Sequence, residues 1–149
     1  MAAMSETRKQ VLVAVDMSRH ANVVVDFAIY VARKTGLGML ITYVINESAY
    51  HMDADDPNLS RVINSESDFA HRQLEEFAQR AQKRGVDDCD IQVLYGNPKE
   101  VLVHAASAAI IDHVIIGAHG KHSVSDTVIG STTDFVVYRS SKTVTVVKS

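Results

Sequence analysis

The chain has 149 residues, 46% hydrophobic and 22% charged, with a formal net charge of −3, which fits a single domain over 1–149 with a full core and no bulk electrostatic attraction to nucleic acid or an anionic membrane. No apolar run approaches the roughly eighteen residues of a membrane span, and the opening MAAMSETRKQ lacks the apolar stretch of a secretory signal. The lone Cys89 excludes an internal disulfide and a four-cysteine zinc site, and its acidic neighbours make it a structural thiol, so a cytoplasmic protein is expected.

Residues 1–9 read as a flexible tail. QVLVAVD, ending at Asp16, is a continuous β-branched run of the kind that suits a strand covered on both faces. Ser18 then stands as the N-cap of a helix whose buried stripe is Ala21, Val24, Val25, Ala28, Val31, Ala32 and Thr35. Arg33 and Lys34 fall in its last turn and Gly36 closes it. Gly38 to Val44 (GMLITYV) reads as a second buried strand. The polar, acidic stretch 46–61 has no period and reads as a long loop, a feature that is often functional.

A long helix follows with Phe69, Ala70, Leu74, Phe77, Ala78 and Ala81 on one stripe, ending at Gly85. DIQVLYG alternates Ile91, Val93 and Tyr95 at period two, as a strand near the sheet's edge does. Asn97, Pro98 and Glu100 form a capping-box start for a helix presenting Val101, Leu102, Ala105 and Ala109. HVIIG is a fourth buried strand, STTDFVVYRSS a short helix, and KTVTVVK the last strand. The order β-α-β-α-β-α-β-α-β predicts an α/β fold: a three-layer, doubly wound, Rossmann-like sheet of five mainly parallel strands.

GAHGKHSVSDTVIGSTTD holds three of the seven glycines, at 117, 120 and 130. In such sheets ligands bind beyond the carboxyl ends of the strands, where strand order reverses. Gly117 closes the fourth strand, and Gly130-Ser131 opens the last helix. Bare backbone running into a helix N-terminus makes an anion site, with hydroxyl donors from Ser131, Thr132 and Thr133. Gly117 and Gly120 then let the chain pass close to a sugar or phosphate. A plain turn followed by an ordinary cap is the alternative reading of the same residues.

Gly117-x2-Gly120-x9-Gly130-Ser131 resembles the nucleotide-binding pattern of the universal stress protein family, G-x2-G-x9-G-[ST]. VLVAVDMS, HVIIGAHG and TVTVVK resemble that family's first, fourth and last strands. The resemblance implies an adenine nucleotide alpha hydrolase-like fold and a cytoplasmic, ATP-binding stress-response regulator rather than an enzyme. Carried over by position, Ala14, Val15 and Asp16 match contacts to base and ribose, and Val44 a backbone contact to adenine. Ile116 and Gly117 match the ribose region, with His119 beside them. Gly120, Gly130, Ser131, Thr132 and Thr133 match the phosphate cradle. ATP, ADP or AMP is the implied ligand, with Mg²⁺ or Mn²⁺ held mainly by the phosphates. The family's homodimer implies pairing through the last strand, 143–147, and an exposed β-rich edge supports it. The chain departs from the common pattern at Ala118 and His119, and at Lys142-Thr143, where many members carry proline.

Other signals fail. His122 after Gly120-Lys121 breaks a phosphate-loop motif, and no serine-hydrolase elbow occurs. His119 and His122 lack further ligands for a metal, and the Asp53–Asn58 stretch does not follow a calcium-loop pattern. His20 reads as an exposed turn residue. A weak ATP-hydrolysing enzyme and a nucleotide-free dimeric interaction module remain the alternative functions.

Overall fold

The computed structural model describes residues 8–120 and 128–148. Five strands form one sheet: β1 (Gln10–Ala14), β2 (Gly38–Ile45), β3 (Cys89–Tyr95), β4 (Ile111–Gly117) and β5 (Val144–Val147). Four α-helices connect them: α1 (His20–Thr35), α2 (Pro57–Lys83), α3 (Pro98–Ala106) and α4 (Ser131–Arg139). The sheet order is β3-β2-β1-β4-β5 and every pairing is parallel. The expected three-layer architecture is therefore present.

Alternation along β1 sorts the core onto two faces. Val11 and Val13 pack with the buried stripes of α1 and α2, while Leu12 and Ala14 pack with Leu102, Ala106 and Val136 from α3 and α4. All five residues of β1 are buried, as a central parallel strand requires. β3 is only half-buried, in keeping with an edge. Each fully buried Leu, Ile or Phe, such as Leu12, Ile41 and Phe77, contributes roughly 1.5–3 kcal/mol.

Several local expectations change. Ser18 does not cap α1: Arg19 holds that position without a side-chain bond, because the Ser18 hydroxyl donates to Asp16 instead. Ile29 belongs to the buried stripe and Thr35 does not. Gly36 ends the helix as expected, at φ 76°. The stretch 46–61 is not one loop. A 3₁₀ turn occupies Glu47–Tyr50, and α2 starts at Pro57 with the Asp56 carboxylate accepting from Asn58 N. Phe69 leaves the expected α2 stripe and is half exposed, since no α2 residue between Leu59 and Ala70 is fully buried. Asn97 caps α3 by accepting from Lys99 N, and Ala109 lies past the helix end.

Candidate functional site

The order of the sheet reverses between β1 and β4: β2 and β3 lie to one side, β5 to the other. A crevice therefore opens beyond the carboxyl ends of β1 and β4. On the β1 side, Val15 N–H still bonds Thr42 O at 3.0 Å, and the chain turns sharply through Met17 at φ 65°. That turn brings Ser18 back to Asp16. The Ser18 backbone N–H and hydroxyl both donate to Asp16 Oδ1, at 3.1 and 2.6 Å. The other carboxylate oxygen, Oδ2, is buried and has no hydrogen-bond partner among the described residues. A buried carboxylate oxygen held in place but left unpaired is costly.

The three glycines of the β4–α4 region differ in their surroundings. A Cβ on Gly117 would meet His20 Cδ2 at 2.9 Å and Val24 Cγ2 at 3.0 Å, so α1 leaves no space for one. The packing of α1 is thus a sufficient reason for glycine at this position. A Cβ on Gly120 would stand 3.2 Å from Asp16 Oδ2, crowding the unpaired oxygen. At Gly130 neither cause applies: φ is −60°, and a Cβ would meet nothing nearer than Gly120 N at 3.5 Å. The described chain tolerates a side chain there.

Gly130 N–H donates to Ala118 O at 2.8 Å, which folds the start of α4 back onto the end of β4. The first helical bond runs from Asp134 N to Gly130 O at 2.9 Å, so the N–H groups of Ser131, Thr132 and Thr133 precede the intrahelical ladder. The N-cap residue, Gly130, has no side chain with which to cap this end. Ser131 is exposed and Thr132 half-buried. Thr133 differs from expectation: its hydroxyl is buried and donates to Gly117 O at 2.6 Å. It fastens α4 to β4, and only its N–H remains to face an anion.

His20 is half-buried rather than a solvated turn residue. Its Nε2 contacts Val147 O at 3.3 Å, and its ring lies edge-on to His119 with centroids 5.9 Å apart. His119 Nδ1 contacts Val128 O at 3.0 Å. The sequence held a signal for His20, which sits one turn before the buried Val24. Ala14, Val15, Val44 and Ile116 are buried, at or near the carboxyl ends of β1, β2 and β4. Lys121 and His122 lie outside the described residues. No cluster of three or more His, Cys, Asp or Glu side chains suited to a metal occurs among the described residues. Two surface hollows, of about 590 and 300 Å³, share no residue with the crevice.

The model of the universal stress protein family matches residues 7–148. The chain belongs to that family. A universal stress protein of Staphylococcus aureus is 26% identical over 147 residues, covering 96% of this chain and 86% of that one. Universal stress protein UspA from Lactobacillus plantarum superposes with a TM-score of 0.87 at 29% identity, covering 96% of this chain and all of that one. At lower identity the fold alone is shared with two nucleotide complexes. A universal stress protein in complex with cAMP has a TM-score of 0.69 at 22% identity, with 96% and 98% coverage. The Archaeoglobus fulgidus universal stress protein in complex with dAMP has 0.66 at 20%, with 94% and 98%.

Lys142 stands just before β5 of this universal stress protein. Its ammonium donates to Ala108 O at 2.9 Å and Ile111 O at 2.7 Å. It thus ties the turn after α3 to the entry of β5.

Proposed function

We propose that this universal stress protein binds an adenine nucleotide, ATP foremost, in the crevice between β1 and β4, and acts through it as a regulator rather than a catalyst. The observation that carries the reading is the polarity of the site. At one end stands Asp16 Oδ2, a buried acceptor that would repel phosphate but suits a ribose hydroxyl or an exocyclic amine. At the other end are the N–H groups of Ser131, Thr132 and Thr133, which precede the intrahelical ladder at the positive pole of α4 and suit an anion. Gly120 touches both ends, since its Cβ position abuts Asp16 and its nitrogen adjoins Gly130. A ligand with donors on one side and negative charge on the other is a nucleotide.

Ala14, Val15 and Val44 would then wall the base, Ile116 and Gly117 the ribose, and His119, Gly120, Gly130, Ser131 and Thr132 the phosphates. Mg²⁺ or Mn²⁺ would be carried by the phosphates and partly neutralise them. The cAMP and dAMP complexes of the two structural neighbours support an adenine ligand.

The same proposal includes a homodimer through β5 (143–147). β5 has one neighbour in the sheet, and Val137 and Tyr138 on the adjoining α4 are exposed, Tyr138 at 85%. An open edge flanked by apolar side chains is suited to a second copy. No helix among the described residues is long and apolar enough to cross a membrane, and we place the protein in the cytoplasm.

The direct test is chemical. Protein purified without added nucleotide is denatured, and the supernatant is analysed by chromatography and mass. Stoichiometric ATP or ADP supports the reading. A supernatant free of nucleotide, joined to no thermal shift with millimolar ATP and Mg²⁺, overturns it.

A further inference from the structure

One carboxylate joins three separate segments. Tyr43, on β2, donates its hydroxyl to Glu66 Oε1 at 2.6 Å. Tyr50, at the end of the 3₁₀ turn that follows β2, donates to Glu66 Oε2. Both oxygens of one α2 side chain are thus held by phenols from the strand and from the turn after it. Hydrogen bonds to an ionised carboxylate are about twice as strong as neutral ones.

The position matters. Between Leu59 and Ala70 no α2 residue is fully buried, and within that stretch the apolar contact to the core comes from the half-buried Ile63. The polar bridge at Glu66 is what fixes the N-terminal half of α2 to the turn. Tyr43 is buried, and Asp16 is near enough to add to the rise in its phenol pKa, after burial and Glu66. The bridge therefore holds β2 at the residue next to Val44. Val44 follows Tyr43, and the 3₁₀ turn starts three residues after Val44.

We infer that Glu66 is a positioning residue for the nucleoside end of the crevice, holding Val44 and residues 46–50 in place through its paired bonds to Tyr43 and Tyr50. The inference rests on the nucleotide-binding reading above. Glu66 touches no ligand in this account; it acts through β2 and the turn. Without the bridge the wall beyond β2 is free to move, and ordering it becomes a cost of binding.

The experiment measures ATP affinity by calorimetry for the wild type, Glu66→Ala, Glu66→Gln, Tyr50→Phe and the Glu66→Ala/Tyr50→Phe double variant. Amide hydrogen exchange over residues 44–52 is followed in each. The expected result is ATP binding about tenfold weaker in Glu66→Ala, with faster exchange confined to 44–52 and partial rescue by glutamine. Tyr50→Phe, which keeps the ring and its packing, weakens binding in the same direction, and the double variant is no weaker than Glu66→Ala, because both changes remove one shared interaction. Variants that bind ATP within twofold of wild type overturn the inference and leave the crevice reading standing. A wild type that binds no ATP overturns both.

Discussion

Thr133 Oγ1 donates to Gly117 O over 2.6 Å, inside the protein. The bond joins the first turn of α4 to the last residue of β4 and so holds the N-terminus of α4 at the carboxyl end of that strand. Thr133→Val keeps the shape but strands a buried carbonyl, which costs about 1–3 kcal/mol. Urea denaturation is expected to show that loss in Thr133→Val and to show most of it recovered in Thr133→Ser. Equal stability for Thr133→Val and wild type would remove the fastening role.

Among the described residues, neighbours crowd a Cβ at Gly117 but not at Gly130. Gly117→Ala forces a methyl against His20 and Val24, at distances of 2.9 and 3.0 Å, and is expected to cost about 1–3 kcal/mol as overpacking. Gly130→Ala meets no described residue closer than 3.5 Å and is expected to stay within about 0.5 kcal/mol of wild type. Thermal melts of the two variants side by side test the contrast. A Gly130→Ala variant as unstable as Gly117→Ala would show that the fold, not a ligand, requires glycine there.

Alkaline pH is expected to weaken the protein through two buried acids. Burial, then the Glu66 bond and charge, then Asp16 push the Tyr43 phenol well above its ordinary value of 10.0. Burial, then Asp90 and Asp88, push the Cys89 thiol from 9.0 up to about 12. In each case the unfolded chain releases its proton first, so stability is full below pH 9 and falls as pH rises through 9 to 12. Denaturant midpoints between pH 8 and 11 follow this, and the slope is expected to shrink in Tyr43→Phe and in Cys89→Ala. A flat profile in the wild type would contradict it.

The dimer reading predicts a light-scattering mass of two chains for the wild type. Val137→Glu/Tyr138→Glu places charge on exposed positions of α4 beside β5 and is expected to shift the mass to one chain while leaving the circular dichroism unchanged. A wild type that is monomeric at all concentrations tested would contradict it.

Much of this was legible in the residues. Continuous β-branched runs such as QVLVA marked the central strands, and Asn97-Pro98 and Gly36 marked helix ends, because those signals are local. Asp56-Pro57 was an equally local start for α2, masked by the acidic run around it. Causes that depend on distant neighbours were not readable. Nothing near Gly117 in the chain announces His20 and Val24, which come to it from the other side of the sheet. The hydroxyls of Ser18 and Thr133 looked like a cap and a phosphate donor, yet each is held by a partner the fold supplies. Glu66 lies 23 residues from Tyr43, beyond any periodic signal. That Asp16 Oδ2 has no partner among the described residues is likewise a property of the assembled crevice.

The most direct test of the central claim is a calorimetric titration of nucleotide-free protein with ATP and Mg²⁺, run on the wild type and on Gly130→Val. The account predicts saturable binding of one ATP per chain by the wild type, stabilisation of about 2.7 kcal/mol at a hundredfold over Kd, and no binding by a still-folded Gly130→Val. Wild-type affinity in Gly130→Val, or no heat from the wild type at millimolar ATP, would contradict it.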